Sequence, residues 1–274
     1  MTFIQALIEN PLLLSAVIAG LAASIVSGII GSYVVVKRIS FISGSISHSV
    51  LGGIGLCLWL ERAKDISWVN PLYGALLAAI LSALIIGWIS HNYKQREDSV
   101  IAALWSVGMA VGVLFISQTP GFNVELTNFL IGNILWVTPT DLKILFALDF
   151  FILVFVYLMH KRFLAICFDE EQARLQGLPV HAIYQLLLVL TAVSIVLLIQ
   201  VVGIILVMTM LVLPAAIANL FTSSLSRMMM IAVALSAFFC LTGMVISFHL
   251  DWPGGATIAL IAGLSYVTAL IIKK

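Results

Sequence analysis

Apolar residues run through this chain in long stretches separated by short polar segments. A helix needs about 20 apolar residues to cross the hydrocarbon core of a bilayer. The stretches that approach this length are 11–36, 44–60, 71–90, 99–117, 141–160, 183–200, 203–221, 228–249 and 256–272. The sixth and seventh form one apolar run that only Gly203 divides. The pattern predicts an all-α, polytopic transmembrane helix bundle of about eight or nine spans.

Composition supports a membrane location. Hydrophobic residues make up 62% of the 274 residues and charged residues 9%, whereas soluble domains carry about 25% charged residues. The net charge of +1 comes without a basic patch, so we expect no nucleic-acid partner. The three cysteines are isolated, which argues against a disulfide framework or a structural zinc site. We expect one transmembrane domain over residues 1–274, surrounded by lipid.

The distribution of Lys and Arg predicts the orientation. If the N-terminus is outside, ten of the 13 basic residues fall in inner segments, and only Arg62, Lys64 and Lys143 fall in outer ones. Cytoplasmic loops carry such an excess, so we expect a cytoplasmic C-terminus and a cytoplasmic (inner) membrane location. Residues 118–140 then form an outer loop, either with a short helix or re-entrant piece or as an ordinary surface loop.

The second span carries an ionisable ring among small residues. Gly44, His48 and Gly52 lie at steps of four and share a helix face, and Ser45 and Ser49 lie on the adjoining row. The glycines leave room beside the ring for water, another helix or an ion. Intramembrane ionisable residues tend to line pathways, so His48 is a candidate metal-path residue. The alternative is a neutral histidine hydrogen-bonded to a serine or a backbone carbonyl.

Three further residues are weaker candidates for the metal path. Asp149 lies deep in the fifth span, where it either takes part in transport, pairs across helices or is protonated by burial. His249 and Asp251 stand at the predicted outer mouth, where they can assist ion entry. Asp251 can alternatively cap the last helix.

The polar segment 163–181 contains the signals of a short, complete helix. Asp169 occupies an N-cap position, Gln172 follows three residues later as in a capping box, and Gly177 ends the helix. So short a helix is marginal alone in water. It is therefore either a connector packed on its own bundle or a docking helix for a cytoplasmic partner. The candidate docking residues are Asp169, Glu170, Glu171, Arg174 and Gly177.

The 274 residues contain no G-x-x-x-x-G-K-[ST] loop. The chain therefore does not hydrolyse ATP by that route, and we expect that it is not an enzyme. If transport is driven by ATP, the ATPase is a separate polypeptide.

Five stretches together resemble one family, the membrane permease subunit of ABC-type metal-ion importers (the ABC-3 permease family). They are VVVKRISFISGSISHSVLGG, IGNILWVTPTDL, FDEEQARLQGLPV, VVGIILVMTMLVLPAAIA and LDWPGGATIAL, in that order along the chain. The resemblance extends over nearly the whole length, and five ordered matches are far more specific than any one of them.

The resemblance implies a permease that moves a divalent metal ion (zinc, manganese or iron) as substrate, with no cofactor bound by this chain. It implies three partners: a cytoplasmic ATP-binding subunit, an extracytoplasmic metal-binding protein, and a second permease copy or paralogue. Segment 169–177 becomes the coupling helix for the ATPase, and His48 falls on the family's metal-path histidine. The sequence departs from the family motif at Gly44, where the family has Asp. Without that carboxylate, the residues do not indicate which of the three metals is carried.

Two other functions fit the same spans. One is a permease for a chelated metal, such as a siderophore or cobalamin, although such permeases are usually longer. The other is an ion-coupled secondary transporter without an ATPase. Such folds often have inverted repeats and broken helices, and Pro214 can break one span, but no clear repeat is visible.

Overall fold

A computed structural model describes residues 3–66, 68–92, 97–120 and 137–273. These residues form α-helices joined by short connections, with no β-strand among them. In chain order, the helices are α1 (Phe3–Glu9), α2 (Pro11–Val36), α3 (Ser40–Ala63), α4 (Pro71–Asn92), α5 (Glu97–Ser117), α6 (Pro139–Phe168), α7 (Glu170–Leu175), α8 (Val180–Phe221), α9 (Leu225–Leu250) and α10 (Gly254–Ile272).

Within the described residues, nine helical segments are long and apolar enough to cross a membrane. They correspond to the nine predicted spans, so the all-α multi-pass prediction is confirmed. The predicted division of the sixth and seventh spans is also visible, because α8 is interrupted at Gly203, whose φ of 77° and ψ of 165° are not helical. Helix α8 continues through Pro214.

Three details differ from the predicted elements or lie beyond them. Helix α1 was not predicted, and it precedes an N-cap at Asn10 whose side chain accepts a hydrogen bond from the Leu12 amide at 3.0 Å. Helix α6 extends beyond the predicted span 141–160 to Phe168. Most of the predicted outer segment 118–140 lies outside the described residues, so its re-entrant or loop character stays a prediction.

The described residues form two compact units. The first comprises those within Met1–Lys37, Leu130–Met159 and Leu197–Lys274, and the second those within Arg38–Phe129 and His160–Val196. Each unit has its own internal packing.

In the first unit, α2 packs against α9 through small residues. A Cβ placed on Gly28 would lie 2.6 Å from the Val233 backbone nitrogen, and the Ser27 and Ser236 hydroxyls lie 3.2 Å apart. Gly31 faces the backbone carbonyl of Leu211 on α8. Small residues allow this close approach, and apolar helices in lipid associate mainly by such packing.

In the second unit, α3 packs against both α4 and α5. Gly53 and Gly74 bring the backbones of α3 and α4 together, since a Cβ on either would collide with the carbonyl of the other. A Cβ on Gly52 would lie 2.9 Å from the Gly108 carbonyl oxygen on α5. Helix α3 is mostly buried by these neighbours, whereas α5 is mostly exposed on the isolated chain.

Candidate ion-path site around His48

Four serines of α3 donate hydrogen bonds to backbone carbonyls, and two of them bond across to α5: Ser43, Ser45, Ser47 and Ser49, with Ser45 and Ser49 reaching α5. The Ser45 hydroxyl donates to the Ile101 carbonyl at 2.9 Å, and the Ser49 hydroxyl lies 3.1 Å from the Leu104 carbonyl. Ser49 also reaches the Ser45 carbonyl of its own helix at 2.8 Å. A buried hydroxyl without such a partner is costly, so these bonds fix the two helices in register.

Glycines of α3 bring α5 close at the same register. A Cβ on Gly108 would lie 2.6 Å from the Ser49 Cα, and a Cβ on Gly55 would lie 2.6 Å from the Gly112 carbonyl oxygen. Gly52, which the sequence placed beside His48, therefore faces the α5 backbone. The sequence left water, another helix or an ion to fill the space beside the His48 ring. On the Gly52 side of the ring, it is another helix, α5.

His48 lies between these contacts and stacks on an aromatic ring of α5. Its imidazole is half-buried and nearly parallel to the Trp105 indole, with ring centroids 4.2 Å apart and an interplanar angle of 13°. Stacking on a large rigid ring restricts the imidazole to one orientation.

One nitrogen of that ring has no protein partner within the described chain. The His48 Nδ1 is buried and makes no hydrogen bond to any described group. A satisfied structural histidine would bond this atom to a serine or carbonyl, but the neighbouring Ser45 and Ser49 hydroxyls are committed to backbone carbonyls. A buried imidazole nitrogen left in this way is available to a transition-metal ion, for which neutral imidazole is a common ligand.

No carboxylate of α3 accompanies His48. Gly44, one turn before the ring, is buried and offers no side-chain ligand. Across the described residues, no group of three or more His, Cys, Asp or Glu side chains is arranged to hold a metal ion. Any ion that meets His48 therefore keeps several water ligands or receives ligands from outside the described part of this chain.

Asp149 is the most deeply placed acid of the first unit. It lies on α6 with 4% of its surface exposed, and neither carboxylate oxygen has a hydrogen-bond partner among the described groups. An unpaired charge in such a place costs several kcal/mol, so the group requires a cation, a proton or a donor from elsewhere. His48 belongs to the second unit.

His249 and Asp251 lie at one end of α9 in the first unit. His249 is exposed and packs edge-on against Phe248, with ring centroids 5.5 Å apart. Asp251 adopts a left-handed conformation (φ 54°) and ends α9. The N-cap of α10 is Pro253, so Asp251 caps the end of α9 and not the start of the last helix. Their role in ion entry stays a prediction.

The predicted docking segment folds as a one-and-a-half-turn helix, α7. The Asp169 carboxylate accepts a hydrogen bond from the Gln172 amide at 2.9 Å, and Gly177 beyond the helix has a φ of 78°. Ala173 is buried, while Glu170, Glu171 and Arg174 are exposed. Leu175 is 88% exposed, which leaves an apolar side chain in the open beside charged ones.

Sequence reasoning missed two aromatic contacts. Trp105 was not recognised as the partner of His48, although it lies three residues before Gly108 and so shares its helix face. The other is the contact of His91 with His181, whose ring centroids lie 3.9 Å apart; it joins residues 90 positions apart in the chain and gives no local signal.

Comparisons with known proteins agree with these features. A family model described as the ABC 3 transport family matches residues 9–273. A protein of Chlamydia pneumoniae named "Probable metal transport system membrane protein" is 52% identical over 96% of this chain and 89% of its own length. The manganese transport system membrane protein MntC of Halalkalibacterium halodurans is 31% identical over 99% of this chain and 90% of its own.

A solved structure has the same fold. PsaBC from Streptococcus pneumoniae, in complex with Fab, superposes with a TM-score of 0.86 at 30% identity, covering 97% of this chain and 94% of that one. The correspondence extends over almost the full length of both chains, so the fold is shared as a whole.

Proposed function

Because the chain belongs to the ABC 3 transport family, we propose that it is the permease subunit of an ATP-driven importer that carries a divalent metal ion across the cytoplasmic membrane. The observation that carries the proposal within the chain is His48. Its buried Nδ1 has no partner among the described groups, although every neighbouring serine is bonded.

The proposed role of His48 is transient ligation of the passing ion. A single imidazole with water ligands holds a first-row divalent ion more weakly than a complete three- or four-ligand site. Weak ligation suits a permease, because the ion must also leave. The stack on Trp105 keeps the ring oriented between ions.

The proposed energy source is a separate ATPase that docks on α7. The exposed Leu175 and the charged surface of Glu170, Glu171 and Arg174 support this assignment. A helix this short is marginal alone in water, so we expect a partner protein to stabilise it. The cap at Asp169 favours the helical conformation that the partner would bind. An extracytoplasmic metal-binding protein and a second permease copy or paralogue complete the proposed assembly.

The proposed substrates are zinc, manganese and iron as divalent ions. Of the two relatives described above, one is named for metal transport and the other for manganese transport. Imidazole suits zinc and iron, while oxygen ligands suit manganese. Gly44 supplies no carboxylate, so the residues of this site do not by themselves select one of the three metals.

The test is uptake into proteoliposomes that contain this chain together with the proposed ATPase and metal-binding protein. We expect accumulation of one of Zn²⁺, Mn²⁺ or Fe²⁺ that requires both proteins and ATP. Accumulation by the chain alone under an ion gradient would replace the proposal with a secondary transporter. Uptake of a metal only as its siderophore or cobalamin complex would assign the chain to chelated metals.

A further inference from the structure

Two histidines from different helices of the second unit meet away from His48. His91 is in the last turn of α4, and His181 is in the first turn of α8. Their rings lie 3.9 Å apart, centroid to centroid, at an interplanar angle of 25°. His91 is exposed and His181 is half-buried, so water reaches the pair.

A polar contact one helical turn away sets the register of this pair. The Gln185 side-chain amide donates to the Ala83 carbonyl at 2.9 Å, and it lies against Gly87, where a Cβ would collide with it. Gly87 precedes His91 by four residues, and Gln185 follows His181 by four, so in these antiparallel helices the next turn brings the two imidazoles together. The meeting of the rings is therefore built into the helix packing.

The two rings are close enough for both to reach one transition ion after a side-chain rotation. In the stack, with centroids 3.9 Å apart and ring planes at 25°, the in-plane lone pairs do not converge on one point. Two nitrogens that are about 2.0–2.1 Å from a tetrahedral Zn²⁺ lie about 3.3 Å from each other, so the exposed His91 must rotate about its side-chain bonds to direct a nitrogen toward an ion that His181 binds. No group of three or more such ligands exists among the described residues, so water would complete the coordination.

We propose that His91 and His181 form a binding site for a divalent transition-metal ion, distinct from His48. Two imidazoles with water ligands give a weak, exchangeable site. Imidazole ligands favour Zn²⁺ over Mn²⁺, so we expect this site to bind zinc more tightly than manganese. The site needs neither ATP nor a partner protein, so its failure leaves the proposed transport function intact.

The experiment is equilibrium dialysis of Zn²⁺ against the purified full-length chain in detergent, with bound zinc counted per chain. We expect His91→Ala and His181→Ala each to remove the same one ion, and the double variant to remove no more than either alone. The matched control is Asn92→Ala, beside His91, which should bind as much zinc as the wild type. Substitution of His48 should leave this ion in place.

A second measurement uses the unmodified chain and does not depend on the folding of a variant. Diethylpyrocarbonate modifies accessible imidazoles, and mass spectrometry locates each modified residue. Added Zn²⁺ should slow the modification of His91 and His181 together by about tenfold, and Mn²⁺ at the same concentration should slow it much less. Unchanged modification of either ring by Zn²⁺, or full zinc binding in either alanine variant, would overturn the proposal.

Discussion

The α2–α9 contact of the first unit and the α3–α5 contact of the second use the same kinds of residue but differ in one respect. Both bring helices together at glycines and serines. In the first, the Ser27 and Ser236 hydroxyls meet each other, and α2 carries no ionisable side chain before Tyr33. In the second, His48 lies within the contact, and its buried Nδ1 bonds to no described group.

This difference shows what a row of small residues means. Small residues at steps of four indicate close packing and nothing more, because both contacts have them. The functional signal is the imidazole in such a contact whose buried Nδ1 has no hydrogen-bond partner among the described groups, since each buried polar atom without a partner requires an explanation. The comparison can be tested by substitutions at four places: the α3–α5 packing, Trp105 beside His48, the helix α7 and the α2–α9 contact.

The largest expected effect is on folding. Gly108→Leu places a side chain against the Ser49 backbone, where a Cβ alone would already lie 2.6 Å from the Cα. We expect nearly complete loss of folded protein, measured as the monodisperse fraction after detergent extraction. Gly263→Leu is the control, because no described atom lies within 4 Å of a Cβ at that position. Equal yields of the two variants would show that the α3–α5 contact is not close-packed.

The next effect concerns the neighbour of the ring. Trp105→Ala removes the stack on His48, and aromatic pairs contribute about 0.5–1.5 kcal/mol, so uptake should fall about two- to tenfold. Trp105→Phe should restore most of it. Trp59→Ala, which removes an α3 aromatic that packs on Phe115, is the control. Wild-type uptake by Trp105→Ala would remove the stack from the mechanism.

A smaller effect is expected at the coupling helix. Asp169→Ala removes the side-chain cap on the Gln172 amide, which costs about 1 kcal/mol of helix stability. We expect ATP-dependent uptake to fall up to about fivefold while metal binding to the chain stays constant. Asp169→Asn, which can still cap, should retain most activity. If Asp169→Ala and Asp169→Asn transport equally poorly, the negative charge of Asp169 is what transport requires. Its hydrogen bond as a helix cap would then not explain the loss.

The smallest effect is expected at the α2–α9 contact. Ser27→Ala removes a hydroxyl pair at 3.2 Å and should cost about 0.5–1.5 kcal/mol of stability with no change in uptake. Ser49→Ala, which removes the bond to the Leu104 carbonyl beside His48, should lower both stability and uptake. Thermal unfolding and uptake are measured on the same preparations, so that a loss of stability is distinguished from a loss of transport. A loss of uptake in Ser27→Ala would mean that the two contacts are not functionally different.

The sequence predicts the spans well because long apolar stretches permit only one structure in a bilayer. Every backbone group must bond within its own segment there, so each stretch becomes a helix. Gly203 was recognisable as a division because glycine alone adopts its positive φ without strain. The helix α7 was recognisable because its cap residues act locally, within a few positions of one another.

The site was only half predictable for the opposite reason. The chemistry of His48 is visible in its residue type and its row of small neighbours, but its partner is on another helix, 57 positions further along the chain. Pairing across helices depends on which faces meet, and apolar helices carry little pattern to decide this. Which helix faces meet determines three contacts that the sequence does not predict. They are the His48–Trp105 stack, the His91–His181 pair and the close contact of Gly52 with α5.

The central claim is that the free nitrogen of His48 meets the transported ion, and uptake by His48→Ala tests it most directly. The variant would be reconstituted with its ATPase and binding protein, beside His160→Ala as a control that removes a different imidazole. The account predicts that His48→Ala folds, retains ATP hydrolysis and loses at least about tenfold in metal uptake, while the control keeps it. Wild-type uptake by correctly folded His48→Ala would contradict the account.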